Sequence, residues 1–354
     1  MNGRPATGGT ADASGLATPS ASRAVAPVAV LVVTHDDAAD LPGCFAALAA
    51  LDPAPTELVV VDCASGDDSV AAARRAWPSG LTGEMVPLAD NCGFAGGMNA
   101  AVARSEAPWT LTLNADARPA PDYLGRLLAR AAAHPQWRTG AVTGRLLRPA
   151  DVTGGRRLDA CGMRLSPAWR HHDRGSGARD RGQLARPQRV FGGTGAATLF
   201  RREALRDAAV DGEIFDERFH SFREDAELCF RLRERGWEVL YEPAALCEHR
   251  RANLPTRRTA MPPEVNRHSL KNRYLLRLYH QSAANLVWTL PFALARDLQA
   301  LLWVLLAERS SLPAYGWVWR RRHELLARRR AIRARRTVGW WAIERWFLRG
   351  GIDL

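Results

Sequence analysis

The chain has 354 residues, 47% of them hydrophobic, so it is long enough to bury a substantial core in one large domain or two ordinary ones. Its six cysteines form no CxxC pair and no metal-type spacing, which argues against a disulfide-stapled secreted fold and favours reduced thiols in a cytosol. The formal net charge of +12 is unevenly distributed, because residues 1–249 carry a net −3 and residues 250–354 carry +15. This division predicts a nearly neutral body followed by a surface-binding segment.

The first 26 residues differ in composition from the rest of the chain. They are rich in Ala, Gly, Ser and Thr and contain no apolar run of the kind that a signal peptide needs. We therefore expect a disordered leader and no signal peptide.

Four alternations of strand and helix follow this leader. Strands are predicted at residues 28–34, 57–62, 85–88 and 110–114, and helices at residues 41–51, 69–77, 95–104 and 123–133. The first two strands are continuous apolar runs with β-branched residues, which is typical of strands buried on both faces. The alternation favours an open parallel sheet with helices on both faces, where ligands bind beyond the carboxyl ends of the strands.

The pattern is weaker in the middle of the chain. Residues 145–189 are rich in Gly, Arg and Asp and predict a loop or a weak hairpin. Order returns with an apolar run at 190–200, a helix at 225–235 and a strand at 237–241.

Two polar motifs lie where such a sheet would bind a ligand. Asn114 and Asp116 end the fourth strand two positions apart, so their oxygens could hold a hard divalent cation on a diphosphate. A simple turn explains this pair equally well. Gly93, Gly96 and Gly97 lead into a helix N-terminus that would favour phosphate, although glycine before a helix is common.

Asp225 and His249 are further candidates. Asp225 would begin a helix, where a carboxylate is stabilised, but a helix cap without any chemistry gives the same pattern. His249 has a side chain that binds metals well, although a lone histidine is more often a surface or core residue.

Seven segments in chain order resemble the family 2 glycosyltransferases, which have the GT-A fold, a Rossmann-like mixed sheet with helices on both faces. The likeness spans about residues 28–251 and is greatest to the bacterial rhamnosyltransferase-like branch, which builds cell-envelope and polysaccharide chains. The segments are VAVLVVTHDD, TELVVVDCASGDDS, ADNCGFAGGMNAAV, LTLNADA, FGGTGAATLFRREAL, FDERFHSFREDAEL and EPAALCEHR.

This resemblance implies a role for each matching residue. The donor and nucleotide set is Thr34, His35, Asp62, Asn91, Gly93, Asn99 and Asn114, with Asp62 reading the nucleobase. The set for Mg²⁺ or Mn²⁺ is Asn114, Asp116 and His249. The catalytic pair is Glu224 and Asp225, of which Asp225 matches the general base.

The chemistry of sugar transfer agrees with these roles. The leaving diphosphate needs neutralisation, which a bound cation supplies as a Lewis acid. A single carboxylate base opposite the leaving group predicts direct displacement with inversion. Arg231, two helical turns after Asp225, is predicted to be structural.

The sequence departs from the family pattern at three places. The first strand ends Thr-His-Asp-Asp where many relatives have Thr-Tyr-Asn, and Cys63 replaces the usual Asn. The metal motif begins with Asn114 rather than Asp. With one charge fewer, cation binding should be weaker in the absence of a donor.

Residues 252–354 predict a basic, amphipathic helical segment that contacts a membrane. Residues 283–307 are largely apolar, but Pro291, Arg296 and Asp297 interrupt them, so the run falls short of a clean membrane span. Arginine with interfacial tryptophan fits an anionic membrane surface, where each basic residue contributes about 1 kcal/mol. A solvated helical face packed on the main domain is the alternative. Nucleic-acid binding is not expected, because no DNA- or RNA-reading motif accompanies the charge.

The sequence as a whole predicts three parts: the leader at 1–26, a GT-A domain at 27–251 and the membrane-associating segment at 252–354. We expect an inverting, metal-assisted glycosyltransferase, peripheral at the cytoplasmic face of the membrane. Its donor would be a dTDP- or UDP-sugar, with dTDP-rhamnose the first candidate, and its acceptor a lipid-linked or growing glycan. Two alternatives are a catalytically silent membrane-bound scaffold and a nucleotide-dependent oxidoreductase. The oxidoreductase would need GxGxxG after the first strand, which the chain lacks.

Overall fold

A computed structural model describes residues 26–150, 155–251 and 261–348, and the backbone of 352–353. The predicted leader lies outside the described residues except for Ala26, whose side chain packs against the core. Nothing in the structure therefore tests the predicted disorder of residues 1–25.

The chain forms thirteen strands and eleven helices within the described residues. The strands are β1 (Val28–Thr34), β2 (Glu57–Asp62), β3 (Gly83–Pro87), β4 (Trp109–Asn114), β5 (Ala117–Pro119), β6 (Thr139–Leu147), β7 (Leu158–Ala160), β8 (Met163–Ser166), β9 (Arg170–Asp173), β10 (Gln188–Val190), β11 (Ala197–Arg201), β12 (Glu238–His249) and β13 (Ile352–Asp353). The helices are α1 (Leu41–Ala49), α2 (Ser69–Ala76), α3 (Gly93–Val102), α4 (Tyr123–Ala132), α5 (Arg202–Ala208), α6 (Glu224–Glu234), α7 (Pro263–His280), α8 (Ala283–Ala307), α9 (Pro313–Arg320), α10 (Arg322–Ala334) and α11 (Trp341–Leu348).

A single mixed sheet organises the body, in the order β13-β10-β12-β6-β11-β4-β1-β2-β3. The strands β3, β2, β1 and β4 are parallel, as the alternation predicts, whereas β11 runs antiparallel to both β4 and β6. The register places Thr34 beside Asp62 and Val33 beside Asn114, so the carboxyl ends of these three strands meet at one edge. Helices cover both faces, which confirms the predicted GT-A architecture.

The prediction of a loop or a weak hairpin at residues 145–189 is confirmed in part, because the antiparallel hairpin β8–β9 lies within that stretch. It missed the central strand β6, which begins at Thr139 and ends at Leu147, and the short strand β7. The predicted strand at 237–241 is the first part of β12, which continues to His249 with a register shift between Tyr241 and Leu246. The pairing of β6 with β12 joins distant segments, so no local periodicity reports it.

Alternation along the strands divides the core into two layers. In β1, Val30 and Val32 pack with α1 and α4 on one face, whereas Ala29 and Leu31 pack with α3 and α5 on the other. Both sets are fully buried, which explains the continuous apolar runs of these strands.

A third buried cluster joins the C-terminal helices to the body. Phe230 of α6 lies in it with Tyr279 of α7 and Trp346 of α11. Arg328 of α10 is buried and donates to Asp216 Oδ2 at 3.2 Å and to Val210 O at 2.8 Å. The predicted division of the chain at residue 252 stays a prediction, but the helices after it are packed on the body.

Helix α8 departs from the expected interrupted run. It continues unbroken over 25 residues through Pro291, and by length and composition it is the one helix among the described residues that could cross a membrane. Only 17% of its most apolar window is buried in the protein.

We predict that Gly144→Ala destabilises the fold by about 1–3 kcal/mol, because a Cβ at this β6 position would lie 2.5 Å from Ala245 O and 2.8 Å from the Tyr123 hydroxyl. Thermal unfolding of the purified variant measures the loss. Gly339→Ala is the matched control, since nothing lies within 4 Å of its added methyl group. Equal melting temperatures for the two variants would contradict this packing.

Candidate active site

Three predicted metal ligands meet where β4 and β12 end. His249 Nε2 lies 3.1 Å from Asp116 Oδ1 and 3.4 Å from Asn114 Nδ2. The other ring nitrogen of His249, Nδ1, lies 2.7 Å from Asp159 Oδ2. The convergence depends on β12 pairing with β5, which sets His249 beside Ala117.

His249 carries a proton between two carboxylates. Burial alone would lower its pKa, but the hydrogen bonds to Asp116 and Asp159 raise the pKa to about 9. Burial would raise the pKa of Asp159, and the bond from His249 lowers it below its usual value. The imidazole therefore neutralises the acidic pair of Asp116 and the buried Asp159.

These donors fit a divalent cation only in part. A carboxylate and an imidazole suit Mg²⁺ or Mn²⁺, and the Asp159–His249 pair has the arrangement in which a carboxylate orients a histidine ligand. The amide nitrogen of Asn114 faces His249, so a metal would need the opposite amide orientation. Among the described residues no group of three or more His, Cys, Asp or Glu side chains could hold a metal by itself. A cation here would need oxygens from a bound diphosphate.

Asp225 lies in the first turn of α6 with its carboxylate held by backbone amides. Oδ2 accepts a hydrogen bond from Gly195 N at 3.0 Å, and Oδ1 accepts one from Ala226 N at 2.7 Å. Burial raises the pKa of Asp225 to about 6; the two amides and Arg251 oppose the shift, and Asp173 reinforces it. A carboxylate with this pKa is ionised at neutral pH and basic enough to take a proton.

Glu224 differs from its neighbour. It is buried, one of its carboxylate oxygens lacks a hydrogen-bond partner, and burial together with the charge of Asp225 raises its pKa well above the usual value. Both influences favour the neutral form of Glu224, which weakens it as a base. Its predicted catalytic role stays a prediction.

A polar network runs from the metal candidates to Asp173, whose charge acts on Asp225. From His249 it passes through Asp159 to Arg251, whose Nη1 lies 3.1 Å from Asp159 Oδ1. Arg251 Nη2 then lies 2.6 Å from Asp173 Oδ2, and both groups act on the charge of Asp225.

Hydrogen bonds from backbone amides also connect the end of β4 with Asp225. Asn114 N donates to Ala196 O at 3.0 Å, and the preceding residue, Gly195, donates to Asp225. Adjacent residues of one loop, Gly195 and Ala196, therefore contact both predicted sites.

The predicted nucleotide residues surround the ends of β1 and β2. Thr34 Oγ1 donates to Asp37 Oδ2 at 3.1 Å, and His35 Nδ1 lies 2.8 Å from Cys63 O. Asp62 accepts a hydrogen bond from Ser65 N at 3.1 Å, which fixes its carboxylate at the strand end. His35 is exposed, whereas Thr34 and Asp62 are buried.

The glycine-rich start of α3 packs closely against the segment that leads to Asp225. Asn91 Oδ1 accepts from Gly93 N at 2.9 Å, and Gly93 has a φ of +70°. A Cβ on Gly93 would lie 2.5 Å from His220 O, so both the backbone conformation and the close approach require glycine. Asn99 clamps the same segment, accepting from Phe215 N and donating to Phe215 O, each at 2.8 Å. The side chain of Asn99 therefore binds the backbone of Phe215 in the protein itself.

The loop before Asp225 is strained and is held from α7. His220, Phe222 and Arg223 all have positive φ, between 62° and 73°. The buried amide of Asn272 donates to Phe219 O at 2.8 Å, to Ser221 O at 2.8 Å and to Phe222 O at 2.7 Å.

Sequence reasoning did not find four residues of this site. Asp159 and Asp173 lie in the stretch predicted as a loop, Arg251 follows the last matching segment, and Asn272 lies in the predicted membrane segment. The one available signal was the run Cys-Glu-His-Arg-Arg, in which two arginines, the second of them Arg251, follow the candidate metal ligand His249.

Comparison with known proteins gives a family and a fold. The sequence profile of Glycosyl transferase family 2 matches residues 29–208. The chain is similar to N-acetylglucosaminyl-diphospho-decaprenol L-rhamnosyltransferase of Mycobacterium tuberculosis (strain CDC 1551 / Oshkosh), with 27% identity over 289 residues, covering 75% of this chain and 90% of that protein.

Two solved structures share the fold. GalNAc-T7, solved with UDP, GalNAc and Mn²⁺, has a TM-score of 0.54 at 13% identity. The match covers 73% of this chain and 48% of GalNAc-T7, so this chain spans about half the length of GalNAc-T7. TarS 1-349 of S. aureus, solved with UDP-GlcNAc, has a TM-score of 0.51 at 15% identity, covering 82% of this chain and 78% of that one.

We predict that Asn272→Ala lowers the turnover number for sugar transfer at least about tenfold, with little change in KM for the nucleotide sugar. The reason is that three carbonyl groups of the strained loop lose their common donor and Asp225 loses its fixed position. Steady-state kinetics measures both constants.

Asn285→Ala is the control for a loss of stability alone. Asn285 is as buried as Asn272, but its side chain bonds to Trp169 and Glu344 instead of the loop. If both variants lose the same fraction of kcat, Asn272 does not position Asp225.

Proposed function

The chain belongs to glycosyl transferase family 2, and we propose that it transfers a sugar with inversion from a nucleoside-diphosphate sugar to a lipid-linked acceptor. One observation carries this proposal. Ion pairs run without a break from Asp116 through His249, Asp159 and Arg251 to Asp173, and the charges of Arg251 and Asp173 act on Asp225. On this proposal the diphosphate-binding and base-bearing groups face one surface, as displacement at an anomeric carbon requires.

The donor would lie along the strand ends. Asp62, Thr34 and His35 would contact the nucleoside, and the diphosphate would lie toward Asn114 and Asp116. The M. tuberculosis relative is named for rhamnosyl transfer. We extend that sugar to this chain, with dTDP-rhamnose as the first candidate donor and UDP-sugars as the second.

In the proposed mechanism Asp225 takes the proton of the acceptor hydroxyl. The acceptor oxygen then forms a bond to the anomeric carbon while the bond from that carbon to the diphosphate oxygen breaks, and its electron pair leaves with the diphosphate. Attack and departure lie on opposite sides of the carbon, so the configuration inverts.

Asp116, a turned Asn114 amide and His249, after losing its Nε2 proton, would hold Mg²⁺ or Mn²⁺, which when bound would neutralise charge on the leaving diphosphate.

We also propose that α8 is the membrane contact at the cytoplasmic face. In the described part of the chain, every large hydrophobic side chain that is exposed lies between residues 286 and 348, and eleven of them are on α8. Val287 and Leu306, near its two ends, are 77% and 74% exposed. Exposed Trp319, Trp340 and Trp341 follow on the later helices, where arginine is abundant.

A catalytically silent scaffold is the weaker alternative. A scaffold has no need of a carboxylate whose pKa is raised to about 6 and whose loop is strained. The oxidoreductase alternative is further weakened by the family profile.

We predict that the protein releases nucleoside diphosphate from a dTDP- or UDP-sugar when Mg²⁺ or Mn²⁺ and a lipid-linked acceptor are supplied, and that Asp225→Asn abolishes transfer. Asparagine cannot accept the proton, whereas nucleotide binding, measured by calorimetry, should be nearly unchanged. The rate of the wild-type protein should rise with pH through about 6, because Asp225 acts only when ionised. Normal turnover by Asp225→Asn would eliminate Asp225 as the base.

We predict that the triple variant Val287→Glu, Leu298→Glu and Leu306→Glu no longer sediments with liposomes containing phosphatidylglycerol. Each change puts a charge on the exposed face of α8 and leaves the core untouched. The control adds the same charge at exposed positions of the body, as Ala46→Glu, Ala103→Glu and Ala132→Glu. Equal sedimentation of the two variants would rule out α8 as the contact.

A further inference from the structure

Two cysteines lie side by side among the predicted donor residues and have no part in the mechanism above. Cys63 Sγ lies 3.7 Å from Cys92 Sγ. The two thiols also share one acceptor, because Gly93 O is 3.6 Å from Cys63 Sγ and 3.8 Å from Cys92 Sγ. Among the cysteines that the structure describes, these are the one pair in hydrogen-bond contact with each other. We call Cys63 and Cys92 the thiol pair.

A buried cysteine is most often a small apolar residue without any redox role. That description fits the four other cysteines, which are all buried: Cys44, Cys161, Cys229 and Cys247. The thiol pair differs, because its two sulfurs are neighbours and because Cys92 is half-buried. It therefore offers one thiol that an oxidant can reach and a second thiol next to it, as reversible oxidation to a disulfide requires.

The thiol pair joins two segments that are distant in the sequence. Cys63 directly follows β2, and Cys92 directly precedes α3. Four of the predicted donor and nucleotide residues adjoin the pair in sequence or contact it: His35, Asp62, Asn91 and Gly93. A bond between the two sulfurs would therefore cross-link the residues that we assign to the nucleotide.

Helix α3 confines both sulfurs. A Cβ on Gly97 would lie 2.9 Å from Cys63 Sγ, and a Cβ on Gly96 would lie 2.9 Å from Cys92 Sγ, so the helix backbone packs directly against the pair. The bond of a disulfide is about 2.0 Å long, so the sulfurs have to approach each other before they can bond. Because these contacts limit rotation of either side chain, the approach must displace the end of β2 or the start of α3.

The surroundings of the two thiols set the order of the chemical steps. Burial, and then the neighbouring Cys92, raises the pKa of Cys63 to about 12, so Cys92 is the thiol that meets the oxidant. With hydrogen peroxide, Cys92 Sγ forms a bond to one oxygen while the O–O bond breaks, which gives a sulfenic acid and one water. Cys63 Sγ then bonds to Cys92 Sγ as the S–O bond breaks, and the departing hydroxide takes the Cys63 proton as a second water. The two sulfurs lose two electrons, which the peroxide takes up.

We propose that the thiol pair is an oxidative modification site, at which a peroxide forms the Cys63–Cys92 disulfide and weakens binding of the donor nucleotide. This inference rests on the proposed function, which puts the nucleotide beside the pair. With both thiols reduced, Asp62 and Asn91 stay in the positions described above. In the disulfide form, the segments that carry them are displaced. A dithiol reductant breaks the bond again by exchange, so the effect is reversible.

Peptide mapping by mass spectrometry, together with calorimetry on the full chain, tests the site. The protein is treated with hydrogen peroxide, the excess is removed, and one half of the sample is then reduced with dithiothreitol. In the oxidised half we expect a cross-linked peptide that contains Cys63 and Cys92, and a Kd for UDP or dTDP that is at least about tenfold higher. Reduction should restore the original Kd.

Three variants isolate the pair. Cys63→Ala and Cys92→Ala each remove one of the two thiols, so peroxide should leave the Kd of either variant unchanged. Cys161→Ala is the matched control, because it removes a buried cysteine outside the pair and should keep the full response to peroxide. Each variant is compared with itself before and after oxidation, so a loss of stability does not enter the comparison.

The outcomes separate this inference from the proposed function. Absence of the cross-linked peptide from the oxidised wild-type protein, or a cross-link that leaves the Kd unchanged, overturns the inference. A Kd that rises with peroxide in Cys63→Ala as well overturns it in favour of oxidation at Cys92 alone. A cross-link that forms in a protein whose reduced form binds neither UDP nor dTDP supports the modification site and contradicts the proposed function.

Discussion

The candidate active site keeps several carboxylates close together without letting their repulsion separate the strands that carry them. Asp159 is buried, Asp116 and Asp173 are mostly buried, and two cations, protonated His249 and Arg251, lie between them in alternation. Since each cation contacts two acids, loss of one cation removes two ion pairs at once, a larger cost than loss of a single ion pair. The alternation therefore fixes how β4, β9 and β12 meet at the edge of the sheet.

The helices after residue 260 belong to this site as much as the sheet does. Asn272 of α7 holds the strained loop, and Arg328 of α10 is buried against Asp216 just before it. His280 lies between Glu227 and Glu234 of α6, which ties the catalytic helix to the end of α7. A segment that binds a membrane only as an attached tail would leave none of these contacts. If α8 contacts a membrane as proposed, that contact and the position of Asp225 are linked through the same packed helices.

The sequence predicted those parts of the fold that are encoded locally. Strand β1 and helix α4 follow from periodicity, and the GT-A assignment from motifs in the right order. Strand β6 was not predicted, because its pairing with β12 joins segments about a hundred residues apart. The same limit applies to the site: Asn114, Asp116 and Asp225 stand in recognisable motifs, whereas Asp159 and Asn272 acquire their roles only when the chain has folded. Neither has a sequence context that differs from an ordinary loop or helix residue.

Under the proposed function, donor and acceptor would bind to parts of the molecule that differ in physical character. The strand ends of β1, β2 and β4 present backbone-fixed oxygens, which suits a donor that brings its own metal. Among the C-terminal helices, α8 presents an exposed apolar face, which suits an acceptor anchored in lipid. Gly195 N holds one oxygen of the Asp225 carboxylate at a fixed position. If the acceptor hydroxyl approaches this carboxylate while the leaving group stays with the strand ends, the displacement would invert the configuration at the anomeric carbon.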